Sequence, residues 1–187
     1  MAAVCPSQTT SKDHTSFTRP GDPFIRFYDL RFKDSYFLSN FYPHPMHVTL
    51  RKHEVEYKCS EAYYHAVRAD ECNPLEFKEL NGPKAWKLAQ ELKKVIPFKE
   101  DKLQIMHDVV LEKFSDMTLG AKLISTDKSY LVERTKDRFW GDGLDGQGEN
   151  NLGQILMRVR KEIGGMYGIV EKPPEYFLFL KRKTRAA

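Results

Sequence analysis

The sequence predicts a mainly α-helical fold with a few short β-strands, folded as a single compact domain. Three observations carry that expectation. Residues 100–114 and 151–163 place apolar side chains at helical spacing. The β-branched and aromatic runs are short and few. The chain has 187 residues, 41% of them hydrophobic and 12% aromatic, which is enough for one core and excludes wholesale disorder.

Residues 1–23 are polar and end on Pro20-Gly21-Asp22-Pro23, the composition of a disordered N-terminal arm. The domain is expected over 24–165. Phe24-Ile25-Arg26-Phe27-Tyr28 reads as a strand. Residues 46–57 carry Val48, Leu50, Val55 and Tyr57 among polar neighbours, the pattern of a hairpin turning at Arg51-Lys52-His53. A helix is expected over 60–69 with Ser60 at its N-cap. A second, over 83–94, starts on Pro83, where the missing N–H costs nothing, and spaces Trp86, Ala89 and Leu92 as one apolar face. The third covers 100–114 and buries Leu103, Met106, Val110 and Phe114. A shorter helix over 119–125 and the segment 130–134 follow. The last helix, 151–163, aligns Leu152, Ile155, Leu156, Val159 and Ile163 behind Asn151, which can cap its first turn. Residues 166–187 read as an extension that packs on the domain before a basic tail.

Composition narrows the function classes. Thirty Lys+Arg against 26 Asp+Glu leave a surplus of +4, too small for a polycation. The four cations of residues 181–185 equal that surplus, so the domain itself is near neutral. No run of eighteen apolar residues would span a membrane, and residues 1–18 lack the apolar stretch of a signal peptide. The three cysteines form no CxxC pair, which argues against a disulfide scaffold or a zinc site. No HxH, HExxH or His/Cys cluster supports another metal, and nothing in the chain requires a cofactor. A cytoplasmic or nuclear protein is expected.

Three segments can carry chemistry. Five of the 11 glycines fall between Gly141 and Gly153, directly before the last helix. Such a loop either offers free N–H groups and a helix dipole to a phosphate, or only makes tight turns. It fits neither the P-loop nor GxGxxG, and Asp142 and Asp145 lack EF-hand spacing. On the helix over 60–69, Glu61, Tyr64 or His65, and Arg68 share one face. They can hold a sugar–phosphate or form an exposed ion-pair stripe. In Phe37-Leu38-Ser39-Asn40-Phe41-Tyr42-Pro43, aromatics flank a hydroxyl and an amide, which suits either a wall that stacks a base or a buried aromatic loop. The basic tail is either a nucleic-acid or import contact or simply solvated.

Together, Ile25-Arg26-Phe27-Tyr28, the Ser39-Asn40-Phe41-Tyr42-Pro43 run, Tyr57-Lys58-Cys59-Ser60-Glu61-Ala62-Tyr63-Tyr64, Lys113-Phe114, Leu131-Val132-Glu133-Arg134-Thr135, and Trp140-Gly141-Asp142-Gly143 through Gly148, Asn151-Leu152-Gly153 and Leu156-Met157 resemble the YbiA-like, or NADAR (NAD and ADP-ribose), superfamily. The resemblance implies a compact, mainly helical fold and cleavage of N-glycosidic bonds at a ribose C1. The substrate it implies is an ADP-ribosylated guanine of nucleic acid or nucleosides. The alternatives are a ribosylaminopyrimidine phosphate of riboflavin synthesis, or binding of an ADP-ribose moiety without turnover. It implies Glu61, Arg68 and Asp137 as catalytic positions. Ligand contacts would come from Ser39, Asn40, Phe41, Tyr64, Trp140, Gly141, Asp142, Gly143, Gly148, Asn151, Leu152 and Gly153. One departure stands out: the family commonly carries lysine where this chain has Arg68, and a guanidinium is a very poor nucleophile. Catalysis here is then non-covalent, or uses another lysine (Lys58 or Lys84), or is lost.

Overall fold

The computed structural model describes residues 23–69 and 71–166. The expected N-terminal arm up to residue 22, and the extension with its basic tail beyond residue 166, lie outside them. In chain order the elements are β1 (Phe24–Phe27), β2 (Met46–Leu50), β3 (His53–Tyr57), α1 (Ser60–Arg68), α2 (Gly82–Leu92), α3 (Lys102–Ser115), α4 (Met117–Ile124), β4 (Tyr130–Glu133) and α5 (Asn151–Met166). The fold class is as expected, mainly helical with small sheets. Among the described residues, no helix is long and apolar enough to cross a membrane.

Local chemistry sets the element boundaries. Strands β2 and β3 pair antiparallel, Val48 opposite Val55, across a turn in which Arg51 and Lys52 both take positive φ (49° and 69°). That is the backbone a two-residue hairpin demands. Strand β1 instead finds β4 in parallel register, Ile25 opposite Leu131. Asn81, Asp101 and Asp116 cap α2, α3 and α4 by accepting the amides of Lys84, Gln104 and Leu119. Helix α1 departs from expectation: Cys59 holds the N-cap position and Ser60 is already helical. The Ser60 hydroxyl donates to the Asn40 carbonyl instead (3.2 Å).

Two cores result. One gathers β1, β4 and the apolar stripes of α3, α4 and α5, with all five expected α5 residues buried. The other joins the β2–β3 hairpin to α1 and α2 through Tyr57, Ala62, Ala66, Phe77, Ala85 and Ala89. Helix α1 belongs to both, since Tyr64 enters the first and Ala62 and Ala66 the second. Two apolar faces differ from their periodicity. Leu103 is 44% exposed, while Val109 completes the α3 stripe. Trp86 is 51% exposed, because α2 meets α1 through the small side chains Ala85 and Ala89, which allow close approach and leave no room for an indole.

Helix α5 begins hard against β4. Asn150, at φ 54°, donates Nδ2–H to the Leu131 carbonyl (2.8 Å) and accepts the Glu133 amide on Oδ1 (2.9 Å). A Cβ on Gly153 would collide with the Leu131 carbonyl oxygen and sit 2.5 and 2.7 Å from the Asn150 amide. Glycine is required there for close packing.

Candidate active site

A cavity of about 690 Å³ opens where the two cores meet. Its floor comes from α1. Glu61 is 8% exposed, and its Oε1 accepts the Nε2–H of His65 at 2.9 Å, one helical turn on. The other ring nitrogen, His65 Nδ1, is buried and has no hydrogen-bond partner among the described residues. A turn further along, Arg68 donates Nε–H to the Lys99 carbonyl (3.0 Å) and Nη1–H to the Tyr64 hydroxyl (3.3 Å). Its guanidinium carbon lies 5.5 Å from the Tyr64 ring centroid and 5.5 Å from that of Phe98. Burial raises the Tyr64 hydroxyl pKa, with Arg68 opposing, so the phenol stays a hydrogen-bonding group rather than an anion.

The Ser39–Phe41 turn forms a second wall, fastened from several sides. The Asn40 carbonyl accepts the Glu61 amide at the start of α1 (3.1 Å), and Asn40 Oδ1 accepts the Ser60 hydroxyl (3.1 Å). The Tyr36 hydroxyl donates to the Phe41 carbonyl (3.0 Å). From α3, the fully buried Lys113 donates Nζ–H to the Ser39 carbonyl at 2.7 Å. Burial pulls its pKa down from 10.5 to about 7, with Cys59 weakly opposing.

Helix α2 supplies the third wall with Pro83, Trp86, Lys87, Gln90 and, just past its end, Lys93. Burial, with Arg68 adding, lowers the Lys93 pKa. The fourth wall is the end of β4 and the loop after it: Glu133, Thr135, Asp137 and Trp140. Asp137 braces Trp140, its Oδ1 accepting the Phe139 and Trp140 amides at 2.8 and 2.9 Å. Glu133 is 9% exposed, and burial pushes its carboxyl up to about 8, with Glu61, Asp137 and Asp142 adding. Among the described residues, no group of three His, Cys, Asp or Glu is placed to hold a metal ion.

Of the residues expected at the site, the structure brings Ser39, Asn40, Phe41, Glu61, Tyr64, Arg68, Asp137, Trp140 and Leu152 to one cavity. Gly141, Asp142, Gly143, Gly148, Asn151 and Gly153 do not line it. The reason is that the loop spends its amides on itself. Asp142 N–H goes to the Glu133 carbonyl, Gly148 N–H to Asp142, Asn150 N–H to Gly141 and Leu152 N–H to Trp140, all within 2.9–3.1 Å. Asp142 is buried against Arg134 (2.6 Å). This loop buttresses Trp140 and Glu133 and does not present those amides to a phosphate.

Neither lysine considered as a substitute nucleophile lines the cavity; Lys58 pairs with Glu79 at 2.8 Å on the surface. The lysines that do are Lys87 and Lys93, which the sequence reading missed together with His65 as the partner of Glu61. Glu133 was missed as a site residue too, although an acid closing the apolar run Tyr130-Leu131-Val132 is itself a signal.

Comparison with known proteins agrees with this architecture. The NADAR domain model matches residues 26–164. The chain is similar to a riboflavin biosynthesis protein of Vibrio vulnificus, 35% identical over 133 residues, a match that covers 68% of this chain but only 35% of that protein. It is similar to the N-glycosidase YbiA of Escherichia coli, 32% identical over 149 residues, covering 76% of this chain and 89% of YbiA. The NMR structure of E. coli YbiA superposes with a TM-score of 0.63 at 27% identity, over 81% of this chain and 90% of that one.

Proposed function

Because the chain belongs to the NADAR domain family, we propose that it is an N-glycosidase that hydrolyses the bond between a ribose C1 and the nitrogen of a base. Its proposed substrate is an ADP-ribosylated guanine in nucleic acid or nucleosides. The observation that carries the reading is one cavity in which Glu61, Glu133 and Asp137 share the lining with Arg68, Lys87 and Lys93. Carboxylates stabilise the positive charge that develops at C1 in an oxocarbenium-like transition state. The cations and Trp86 suit the phosphates and base of a nucleotide.

Glu61, oriented by His65, accepts a proton from the water that attacks C1. Arg68 cannot form an imine with C1, and in this reading water attacks directly. Anchored on Lys99 and Tyr64, its guanidinium holds a hydroxyl or phosphate of the ribosyl group. The names of the Vibrio relative and of a maize riboflavin biosynthesis protein, 44% identical over 66 residues, favour a second reading: a ribosylaminopyrimidine phosphate of riboflavin synthesis.

Incubating wild type, Glu61→Ala and Arg68→Lys with both substrates tests this. Release of ADP-ribose from modified guanosine, lost in Glu61→Ala, is expected. Release that survives Glu61→Ala overturns the residue assignment. Turnover of the pyrimidine substrate alone transfers the activity to the second reading. Micromolar ADP-ribose binding without any turnover makes the chain a binding module.

A further inference from the structure

Glu133 is the carboxyl whose surroundings differ most from those of the other acids in the cavity. It closes β4, 9% exposed, and lines the cavity together with Glu61 and Asp137. Its Oε2 is buried and has no hydrogen-bond partner among the described residues. Its backbone, by contrast, is fixed on both sides: the amide donates to Asn150 Oδ1 (2.9 Å) and the carbonyl accepts the Asp142 amide (2.9 Å). The side chain therefore projects from a rigid position.

Arg68 of α1, and Lys87 and Lys93 of α2 and its end, line the same cavity, but the charges that act on the Glu133 carboxyl most are acids. Helix α1 presents Glu61, and the loop after β4 presents Asp137 and Asp142. Arg134, the adjacent cation, is turned to Asp142 at 2.6 Å. The α5 side offers Asn150 and Leu152, which are uncharged. A buried carboxyl whose Oε2 has no donor among the described residues, with three acids acting on it, retains its proton. Asp137 is placed differently, exposed and with Oδ1 occupied by two amides.

We propose that Glu133, and not Asp137, is the general acid of the N-glycosidase reaction, the group that protonates a leaving nitrogen which cannot depart without a proton. This rests on the N-glycosidase reading. The C1–N bond breaks with its electron pair going to nitrogen, which takes the Glu133 proton and departs as a neutral amine. Water adds to C1 and gives a proton to Glu61, leaving a C1 hydroxyl. Solvent exchange then returns Glu133 to the acid and Glu61 to the carboxylate. The carboxyl is pushed up to about 8, so the acid form is the one present at neutral pH.

The experiment compares wild type and Glu133→Gln on two ribosides, one linked through an exocyclic amine and one through a pyridinium nitrogen, which leaves as a neutral ring without protonation. Glutamine matches the size and neutrality of the acid form, and an unchanged melting temperature confirms the fold. Glu133→Gln should lose about 10²–10⁴-fold in kcat on the amine-linked riboside and stay within about threefold of wild type on the pyridinium. The fall in wild-type kcat/KM on the amine-linked riboside above pH 8 should vanish in the variant. Equal losses on both ribosides, or no loss on either, overturn the assignment, as does a high-pH limb that survives in Glu133→Gln. Should wild type cleave the amine-linked riboside but not the pyridinium, the pH limb alone decides. A wild type that cleaves neither shows that the N-glycosidase reading has failed, and Glu133 with it.

Discussion

Replacing Gly153 by alanine sets two effects of opposite sign against each other at the first turn of α5. Helix propensity favours alanine by about 1 kcal/mol. Against it, the new methyl would collide with the Leu131 carbonyl of β4 and lie 2.5–2.7 Å from the Asn150 side chain. Backbone cannot yield as a flexible side chain would, and overpacking of that kind costs about 1–3 kcal/mol. Displacing Asn150 also weakens its two bonds to β4, worth about 1 kcal/mol each. The net expectation is a destabilisation of about 2–3 kcal/mol, or a fall in Tm of about 5–10 °C. Gly165 on the same helix is the control, because a Cβ there meets nothing within 4 Å. Gly165→Ala should gain about 0.5–1 kcal/mol from propensity alone. Urea unfolding followed by circular dichroism reads both variants. If Gly153→Ala is as stable as Gly165→Ala, the close approach of α5 to β4 does not limit this position and the reasoning is refuted.

Three further outcomes are expected. Lys113 has its folded pKa lowered to about 7 from 10.5, so its buried charge penalises the fold below pH 7 and the penalty is relieved as pH rises from 7 to 10.5. Stability of wild type relative to Lys113→Met should therefore increase across that window, approaching about 1.4 kcal/mol per pH unit; parallel pH profiles would rule this out. Asp142→Ala strands the half-buried Arg134 and the Leu144 amide and should cost about 2–3 kcal/mol in chemical denaturation. Asp145→Ala, which breaks a solvent-exposed pair with Arg138, should leave the unfolding midpoint where it was, and equal losses would refute the ranking. Borohydride added during turnover should trap no protein–sugar adduct; an adduct in wild type that disappears in Lys93→Arg would show that Lys93 takes the place of the missing lysine.

What the sequence discloses depends on whether one element or two decide the outcome. The α5 stripe was readable because all five of its apolar residues turn inward on a single face. Glu61, Tyr64 and Arg68 were readable for the same reason, as one face of α1. Trp86 was not. Its spacing with Ala89 defines a face, but which face goes inward depends on how closely α1 approaches, and that favours Ala85 and Ala89. Pro83, Trp86, Lys87 and Gln90 do share a helical face, yet a polar stripe ordinarily faces bulk water, and only the fold shows that this one borders a cavity. The glycine loop misled because its glycines were visible and its hydrogen-bond partners, on β4 and within the loop, were not. Glu133 and Lys113 acquire their character from burial, a property of neighbours far away in the chain.

Helix α1 has a consequence for how this molecule responds to a ligand. Tyr64 is embedded in one core, and Ala62 and Ala66, on the opposite side of the same nine-residue helix, in the other. A molecule filling the cavity beside Glu61 would border Trp86 and Lys87 of one half and Glu133 and Trp140 of the other, and so would act as a rivet through a party wall. Separating the halves then requires the ligand to leave first. Slow hydrogen exchange should accordingly spread on binding into the β2–β3 hairpin and into α5 together, although the hairpin contributes no residue to the cavity and α5 only Leu152.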